Sequence, residues 1–397
     1  MTSPLEGLRV VELARILAAP WIGQTLADLG ADVIKVEAPE GDETRRWGPP
    51  FVQGPAGERL DAAYFHCCNR GKRSVVADFG TAQGREIVRR LAQRSDILLE
   101  NFKVGGLARY GLDYGSLSAL NPRLIYCSVT GFGQTGPYAH RAGYDFMIQG
   151  MGGIMDLTGE PDGAPQKMGV AFADIFTGTY GTIAVLSALA QRERTGLGQH
   201  IDMALLDSMV GVLANQALSY LVSGAPSRRM GNAHPNIVPY QPFAVSDGYI
   251  VIAVGNDSQF VRLCEFLGMP ELAADLKFAT NAARVSHRDE LIGRLSASLA
   301  SRSREDVLGG MEKRGIPAGP INTVADVFAD PQIKHRGMRV DLPLPQGGTV
   351  PSVRTPIQFS AAELSLHRAS PRLGEHTNEI LEELGLVSSP TTATPTL

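Results

Sequence analysis

The sequence predicts an α/β fold in which helices cover both faces of a parallel sheet. Short apolar runs alternate with amphipathic segments through the first half of the chain. The predicted strands are 8–13, 31–37, 74–79, 96–102 and 123–132, and helical patterns occupy 20–29 and the segment after Thr81, its predicted N-cap. Apolar strands alternating with amphipathic helices are typical of a parallel sheet. Ligands of such sheets bind at the carboxyl ends of the strands.

The second half of the chain has a different sequence pattern. A long helical segment is predicted over 201–222, and residues 223–243 are rich in proline, glycine and basic side chains, which indicates a linker. We expect a large domain over 1–222, a linker and a smaller α+β domain over 223–325, and a return to the large domain over 326–386. A disordered tail is predicted over 387–397 from its threonine and proline content.

Composition narrows the function classes. A formal net charge of −4 gives no electrostatic reason to expect nucleic acid as a partner. Four cysteines without a CxxC pair and eight histidines without ligand spacing predict neither a metal site nor a disulfide framework. Reduced thiols and the lack of a secretory pattern favour a cytoplasmic protein. The uncharged runs 175–191 and 208–227 are broken by small polar residues, which favours buried helices over membrane spans.

The segment Gly131–Gly136 matches the dinucleotide-binding fingerprint GxGxxG and follows a predicted strand. Pro137 follows it, however, and the next residues have a loop pattern where the fingerprint needs a helix. Two other interpretations remain open: a glycine turn that reverses the chain, and a loop that closes over a reacting centre. The sequence contains no GxxxxGK[ST], HExxH or GxSxG element, which disfavours the common ATPase, metalloprotease and serine-hydrolase routes.

Asp174 follows an aliphatic and aromatic run and precedes a small-residue helix. The residue pattern alone favours an N-cap aspartate. The functional alternative is a partly desolvated carboxylate that acts as a nucleophile. Asp145, in an AGYDF turn, has the pattern of a solvated loop acid. Basic residues such as Arg15 and Arg109 fall on predicted strand-end loops, where they would neutralise phosphates.

Several ordered motifs together resemble the class III CoA-transferases, the superfamily of formyl-CoA and carnitine CoA-transferases. They are LRVVELARILAAPWIGQTLADLGADVIKVE, NRGKRSVVADF, ENFKVGGLARYGL, NPRLIYCSVTGFGQTGP, AGYDFMIQGMGG, ADIFTGTYG and, near the end, PAGPINTVADVFADPQI and GEHTNEIL. The resemblance covers nearly the whole chain. It implies a Rossmann-like large domain, a smaller second domain and two chains interlocked as a homodimer.

The resemblance also implies a mechanism and a set of site residues. Asp174 would attack an acyl-CoA thioester to give an acyl–aspartyl anhydride, and the released CoA would then form an aspartyl-CoA thioester. The acceptor acid takes the CoA by the reverse sequence, with CoA as substrate and without a metal. The positions that correspond to CoA contacts are Ala18, Ala77, Asp78, Asn101, Phe102, Arg109, Tyr144 and Asp145.

Departures from the formyl-CoA transferase pattern bear on the substrate. Arg15 and Leu17 stand where those enzymes have histidine and glutamine, and Ala38 replaces an arginine. The segments GNAHPNIVPYQPF and GYIVIAVGN are more similar to the succinyl-CoA–glutarate transferase branch. We therefore expect a dicarboxylic acid substrate, with Arg15 or His234 binding its distal carboxylate.

Three other functions fit the sequence less well than a CoA-transferase. The α-methylacyl-CoA racemases of the same superfamily have a histidine where this chain has Tyr144, and one acid alone does not easily exchange a proton on both faces of a carbon. A non-catalytic acyl-CoA-binding protein would show no exchange between CoA and free acids. An NAD-dependent protein is disfavoured by Pro137.

Overall fold

The structure is a computed structural model that describes residues 2–386, so the tail predicted over 387–397 lies outside the described residues. The strands in chain order are β1 (Arg9–Glu12), β2 (Asp32–Glu37), β3 (Phe51–Gln53), β4 (Arg59–Ala62), β5 (Arg73–Val76), β6 (Ile97–Glu100), β7 (Ile125–Thr130), β8 (His200–Ala204), β9 (Tyr240–Val245), β10 (Gly248–Ala253), β11 (Ala318–Pro320), β12 (Arg339–Pro343) and β13 (Thr349–Val353). The helices are α1 (Ala18–Asp28), α2 (Ala63–His66), α3 (Ala82–Gln93), α4 (Tyr114–Leu120), α5 (Asp145–Met151), α6 (Ile154–Leu157), α7 (Phe172–Thr195), α8 (Leu205–Gly211), α9 (Ala214–Ser223), α10 (Asp257–Leu267), α11 (Pro270–Ala274), α12 (Asn281–Ser286), α13 (Arg288–Leu299), α14 (Arg304–Glu312), α15 (Val324–Ala329), α16 (Pro331–His335) and α17 (Thr377–Glu383). Short 3₁₀ turns cover Glu43–Arg46 and Ala108–Tyr110.

A six-stranded sheet in the order β5-β2-β1-β6-β7-β8 organises the first part of the chain. All five neighbouring pairs are parallel, which confirms the predicted parallel sheet. The chain moves outward from β1 through β2 to β5 and then returns to β6 on the other side of β1. The carboxyl ends of β1 and β6 therefore flank the point where the strand order reverses, which is the usual ligand site of open α/β sheets.

Helices cover both faces of this sheet, as predicted. Val10 packs into a core with apolar residues of α1 and α7, whereas its neighbour Val11 packs on the opposite face with α3, α4 and α17. This alternation follows from the two-residue period of a strand. Thr81 caps α3, because its hydroxyl accepts a hydrogen bond from Gly84 N at 3.0 Å.

The helix predicted over 201–222 is wrong at its start and at its centre. Residues 200–204 form β8, which pairs in parallel with β7 and completes one edge of the sheet. Its side chains alternate, with His200 and Asp202 exposed and Ile201 and Met203 half-buried. The remainder is split into α8 and α9, and Ala214, with φ of 45°, begins the second of these helices.

Contacts divide the described residues into two compact units. The first comprises 2–154, 167–222 and 332–386, and the second comprises Met155–Gln166 and Ser223–Pro331. The predicted domain boundaries differ from these units in two places. Residues 155–166 and residues 326–331 were both predicted to belong to the large domain, whereas the structure assigns them to the second unit. The second unit has its own core, built on an antiparallel sheet in the order β11-β10-β9, and β9 falls partly within the predicted linker. The structure contains one chain, so the interlocked homodimer stays a prediction.

Glycines bring α7 very close to α1. A Cβ atom on Gly178 would lie 2.7 Å from the carbonyl oxygen of Ala18 and 2.9 Å from Cβ of Trp21. A Cβ on Gly181 would lie 2.4 Å from Cδ1 of Ile22. By length and composition alone, α7 or the bent pair α8–α9 could cross a bilayer, a property that buried core helices share. The glycine contacts make α7 a packed layer of the first unit.

Replacing Gly178 with alanine should therefore destabilise the first unit, although alanine is the better helix former. We expect the free energy of unfolding to fall by about 1–3 kcal/mol, because the added methyl must displace backbone. Gly211→Ala in α8 is the matched control, since a Cβ there meets nothing within 4 Å. Urea unfolding followed by circular dichroism measures both variants. Equal stability of the two variants would contradict the close approach.

Candidate active site

A cavity of about 480 Å³ opens at the carboxyl ends of β1, β6 and β7. Its walls are the loops that follow these strands together with the first turn of α7. The cavity therefore lies at the reversal of strand order in the sheet. It is lined by these predicted site residues: Arg15, Ala18, Asn101, Phe102, Arg109, Tyr144, Asp145 and Asp174.

A second cavity of about 220 Å³ adjoins the first at the ends of β1, β2 and β5. Ala77 and Asp78 line it, and Arg15, Phe102 and Arg109 line both cavities. All the predicted site residues of the first unit thus line one or both of these cavities. An elongated ligand such as CoA fits this arrangement better than a compact one.

Asp174 is the third residue of α7 and is 8% exposed. The N-cap interpretation of this residue is wrong, because Ala171 occupies the N-cap position and the Asp174 side chain caps nothing. Asp145 supplies the cap from α5. Its Oδ1 accepts hydrogen bonds from the backbone N–H of Ala173 at 2.8 Å and of Asp174 at 3.3 Å. The Asp174 carboxylate is therefore left free to face the cavity.

Burial, together with the charge of Asp145, raises the pKa of the Asp174 carboxyl to about 7. Asp145 is itself oriented by Gln149, whose Nε2 donates to Asp145 Oδ2 at 2.8 Å. Tyr64 is near enough for the Asp174 charge to contribute, with burial, to raising the pKa of its phenol. The phenol stays protonated near neutral pH, whereas the carboxylate beside it is poorly solvated. A poorly solvated carboxylate is a competent nucleophile toward an acyl group.

The turn after β1 forms the wall that carries Arg15. The Arg15 guanidinium is half-exposed, pairs with Glu43 at 3.2 Å and lies 5.7 Å from the Phe102 ring centroid. Its main chain is held by Asn101, whose Oδ1 accepts from Arg15 N at 3.0 Å and whose Nδ2 donates to Arg15 O at 2.6 Å. The Asn101 amide is thus engaged on both sides by the protein.

The glycine segment does not begin a helix, so the dinucleotide fingerprint interpretation is wrong. The chain continues as a loop from Gly131 to the start of α5. Gly131 packs directly on Gly143, because a Cβ on Gly131 would lie 2.5 Å from Gly143 Cα. Gln134 N donates to Asp202 Oδ2 at 2.8 Å, which ties the loop to β8. Since Gly131 lines the larger cavity, the loop is a wall of the site.

Some residues that line the larger cavity are not among the predicted site residues. Lys103 and Arg141 add positive charge, and Arg141 stacks on Phe132 and Tyr138 at 5.3 and 4.6 Å from the ring centroids. Like Arg15 and Arg109, they belong to the basic residues in the first part of the chain, several of which the sequence places on strand-end loops. Ile16 also lines the cavity with φ of 73°, a conformation rare for a β-branched residue and without a sequence signal.

His234 belongs to the second unit. Its Nδ1 accepts a hydrogen bond from Asn236 N at 3.1 Å, and its ring lies 5.3 Å from that of Tyr240. Its carbonyl oxygen accepts from Arg288 at 2.7 Å. Its substrate-binding role stays a prediction. Within residues 2–386, no group of three or more His, Cys, Asp or Glu side chains is placed to hold a metal ion.

Comparison with known proteins places these features in a family. The chain matches the family described as CoA-transferase family III over residues 5–377. A succinate–glutarate CoA-transferase of Agrobacterium fabrum is 57% identical over 393 residues, which are 99% of this chain and 98% of that protein. A succinyl-CoA:glutarate CoA-transferase of Mus musculus is 43% identical over 382 residues, which are 96% of this chain and 86% of the mouse protein.

A solved structure agrees with these sequence relatives. The crystal structure of a CAIB/BAIF family protein from Brucella suis has a TM-score of 0.87 and 66% sequence identity to this chain. The match covers 97% of this chain and all of that one, at 100%. Together with the buried carboxylate at the switch point of the sheet, these comparisons show that this chain is a CoA-transferase and belongs to CoA-transferase family III.

Proposed function

We propose that this enzyme moves CoA from a dicarboxylic acyl-CoA, such as succinyl-CoA, to a second dicarboxylate, such as glutarate, by covalent catalysis at Asp174. The observation that carries the proposal is a buried carboxylate of raised pKa on the wall of a cavity large enough for an acyl-CoA arm. The dicarboxylate class is taken from the names of the relatives, which include succinyl-CoA:glutarate and succinyl-CoA:mesaconate transferases.

The first half-reaction has two steps. An Asp174 oxygen attacks the thioester carbonyl of the donor, and the C–S bond breaks to give an acyl–aspartyl anhydride and CoA thiolate. The thiolate then attacks the aspartyl carbonyl, so that the donor leaves as a free carboxylate and Asp174 carries CoA as a thioester. The second half-reaction runs these steps backwards with the acceptor carboxylate.

No step in this sequence takes up or releases a proton. Each attack replaces one carboxylate or thiolate by another, which is why one ionised carboxylate is enough to run both halves. The anhydride and the thioester are prone to hydrolysis, so the site must keep water away from them. The loop from Gly131 to Gly143 is placed to do this, because it forms part of the cavity wall beside Asp174.

The two cavities support a placement for CoA. Its thioester end would lie at Asp174 in the larger cavity, and the molecule would extend past Phe102 and Arg109 toward Ala77 and Asp78 in the smaller one. The guanidinium of Arg109 borders both cavities and would neutralise phosphate charge. The cations Lys103 and Arg141 add to this positive wall.

Asp174→Asn tests the covalent route. We expect transferase activity to fall by about 10³-fold or more, because an amide does not form the anhydride. Intact-mass spectrometry of the wild type with succinyl-CoA should show an adduct at Asp174, and hydroxylamine should inactivate only the donor-loaded enzyme. Asp207→Asn, an exposed acid in the first turn of α8, is the matched control and should keep both adduct and activity. An active, adduct-free Asp174→Asn enzyme would refute the mechanism.

The pH dependence follows from the raised pKa of Asp174. The nucleophile must be ionised, so activity should rise with pH through about 7 and fall as the medium becomes more acidic. Asp145→Asn removes one of the two causes of the raised pKa while keeping an oxygen to cap α7. The acid limb of the kcat/KM profile, which reports the free enzyme, should therefore move to lower pH. An unchanged limb, or a move to higher pH, would contradict the assignment.

Arg15→Ala tests the dicarboxylate specificity. We expect the KM for the dicarboxylate acceptor to rise about 10- to 100-fold, in line with the loss of one charge-assisted hydrogen bond. The KM for the acyl-CoA should change much less. The substrate control is a monocarboxylate of equal chain length, whose use should be nearly unaffected by the substitution. A uniform loss with both kinds of acid would show that Arg15 does not bind the distal carboxylate.

A further inference from the structure

The turn after β1 is held by side chains at almost every main-chain polar group. The carbonyl oxygen of Ala14 accepts from Lys35 Nζ at 2.8 Å. The N–H and carbonyl of Arg15 both bind the Asn101 amide, as described above. These partners come from β2 and from the end of β6, far apart along the chain. Such a turn does not keep its shape by local hydrogen bonds but by groups that converge on it from the sheet.

The next residue of the turn, Ile16, is the strained one. Its φ of 73° is in the left-handed region, where a β-branched side chain collides with its own backbone. Its N–H donates to Asp42 Oδ2 at 3.3 Å, and its carbonyl oxygen accepts from the Cys68 thiol at 3.4 Å. A strained residue persists when the surroundings over-determine it, and such residues cluster at functional sites. Ile16 fits both statements, since it lines the larger cavity.

The turn leads directly into α1, and α1 packs against α7. Ala18, two residues after Ile16, is the first residue of α1, and its carbonyl oxygen lies against Gly178 of α7. Gly178 is one helical turn after Asp174 on the same helix. The close packing of α1 on α7, at Gly178 and at Gly181, therefore connects the turn at Ile16 with the helix that carries Asp174.

Asp42 is the negatively charged residue among the side chains that hold this turn. Its Oδ2 also contacts Lys35 Nζ at 3.0 Å, and its Oδ1 accepts from Thr44 N at 3.0 Å and from the Thr44 hydroxyl at 2.8 Å. The Lys35 ammonium beside it holds the pKa of the Asp42 carboxyl below its usual range, although burial acts in the opposite direction. With both oxygens engaged by the protein, Asp42 is not available to contact a substrate.

We propose that Asp42 is a positioning residue of this active site: it stabilises the left-handed turn at Ile16 and thereby sets the distance between the turn and the helix of Asp174. The kinetic part of the inference rests on the proposed function, whereas the structural part does not. Misplacing reacting groups by about 1 Å costs up to about 100-fold in rate. The effect of Asp42 should therefore appear in kcat more than in the binding of acyl-CoA.

The substitution Ile16→Gly distinguishes a positioning role of Asp42 from a general structural role. Glycine adopts a φ of this sign without a steric penalty, so a turn with Ile16→Gly needs the Asp42 contact less. We expect Asp42→Asn to lower kcat about 10- to 100-fold with the KM for acyl-CoA changed less than about threefold. The double variant Asp42→Asn with Ile16→Gly should recover at least about tenfold of the lost kcat relative to Asp42→Asn alone. The exposed neighbour Glu40→Gln is the matched control and should have the wild-type kcat.

Two outcomes would overturn the inference. One is an Asp42→Asn enzyme with unchanged kcat, and the other is an Ile16→Gly substitution that changes kcat by the same factor with and without Asp42. Hydrogen exchange needs no substrate, so it also tests variants that lose all activity. Hydrogen exchange of a peptide spanning residues 13–18 should be faster in Asp42→Asn than in wild type and Glu40→Gln. If the wild type shows no transferase activity but the exchange result holds, the proposed function fails while the structural role of Asp42 stands.

Discussion

A buried ionic cluster near the carboxyl end of β1 ties together the elements that form the candidate site. Glu12, at the carboxyl end of the central strand β1, contacts Lys35 at 3.2 Å and Lys72 at 2.8 Å, and all three side chains are fully buried. Removing one partner from such a set leaves an uncompensated charge, at a cost of about 3–5 kcal/mol. Helix α1 crosses the cluster at Gly23, where a Cβ would lie only 1.9 Å from the Glu12 carboxylate. The cluster therefore fixes three strands and one helix at the edge where the site forms.

The chemistry at Asp174 results from two opposing effects at the start of α7. A helix N-terminus favours a negative charge nearby, because its free N–H groups carry a partial positive charge. Asp145 takes up two of those N–H groups and adds its own negative charge, so Asp174 receives less of this benefit. Burial then raises the pKa of Asp174 to about 7, and Asp145 contributes to the shift. With a pKa of about 7, the Asp174 carboxyl is about half ionised at neutral pH, and its ionised form is weakly solvated, which fits the proposed exchange between carboxylates.

The sequence predicts this fold and site unevenly, and the reason is the range of the interactions. Local patterns were sufficient for the sheet, the cap at Thr81 and the strand-end loops that carry most of the site residues. They failed at β8, a five-residue strand that forms only because β7 is beside it. They also failed at Asp174, where the cap of α7 comes from Asp145, 29 residues earlier. The conformation of Ile16 opposes the preference of its residue type, and only distant groups account for it.

In the turn after β1, the main chain and the Arg15 side chain have different roles. The main chain is held by Lys35 of β2, by Asn101 just after β6 and by Asp42, and these contacts do not involve the side chain at position 15. The side chain of Arg15 is half-exposed and borders both cavities. A different side chain at this position would meet the substrate without disturbing the turn that supports α1. If Arg15 binds the acceptor acid as proposed, acid specificity depends on its side chain, whereas the support of α1 depends on its main chain, so that one can vary while the other is kept.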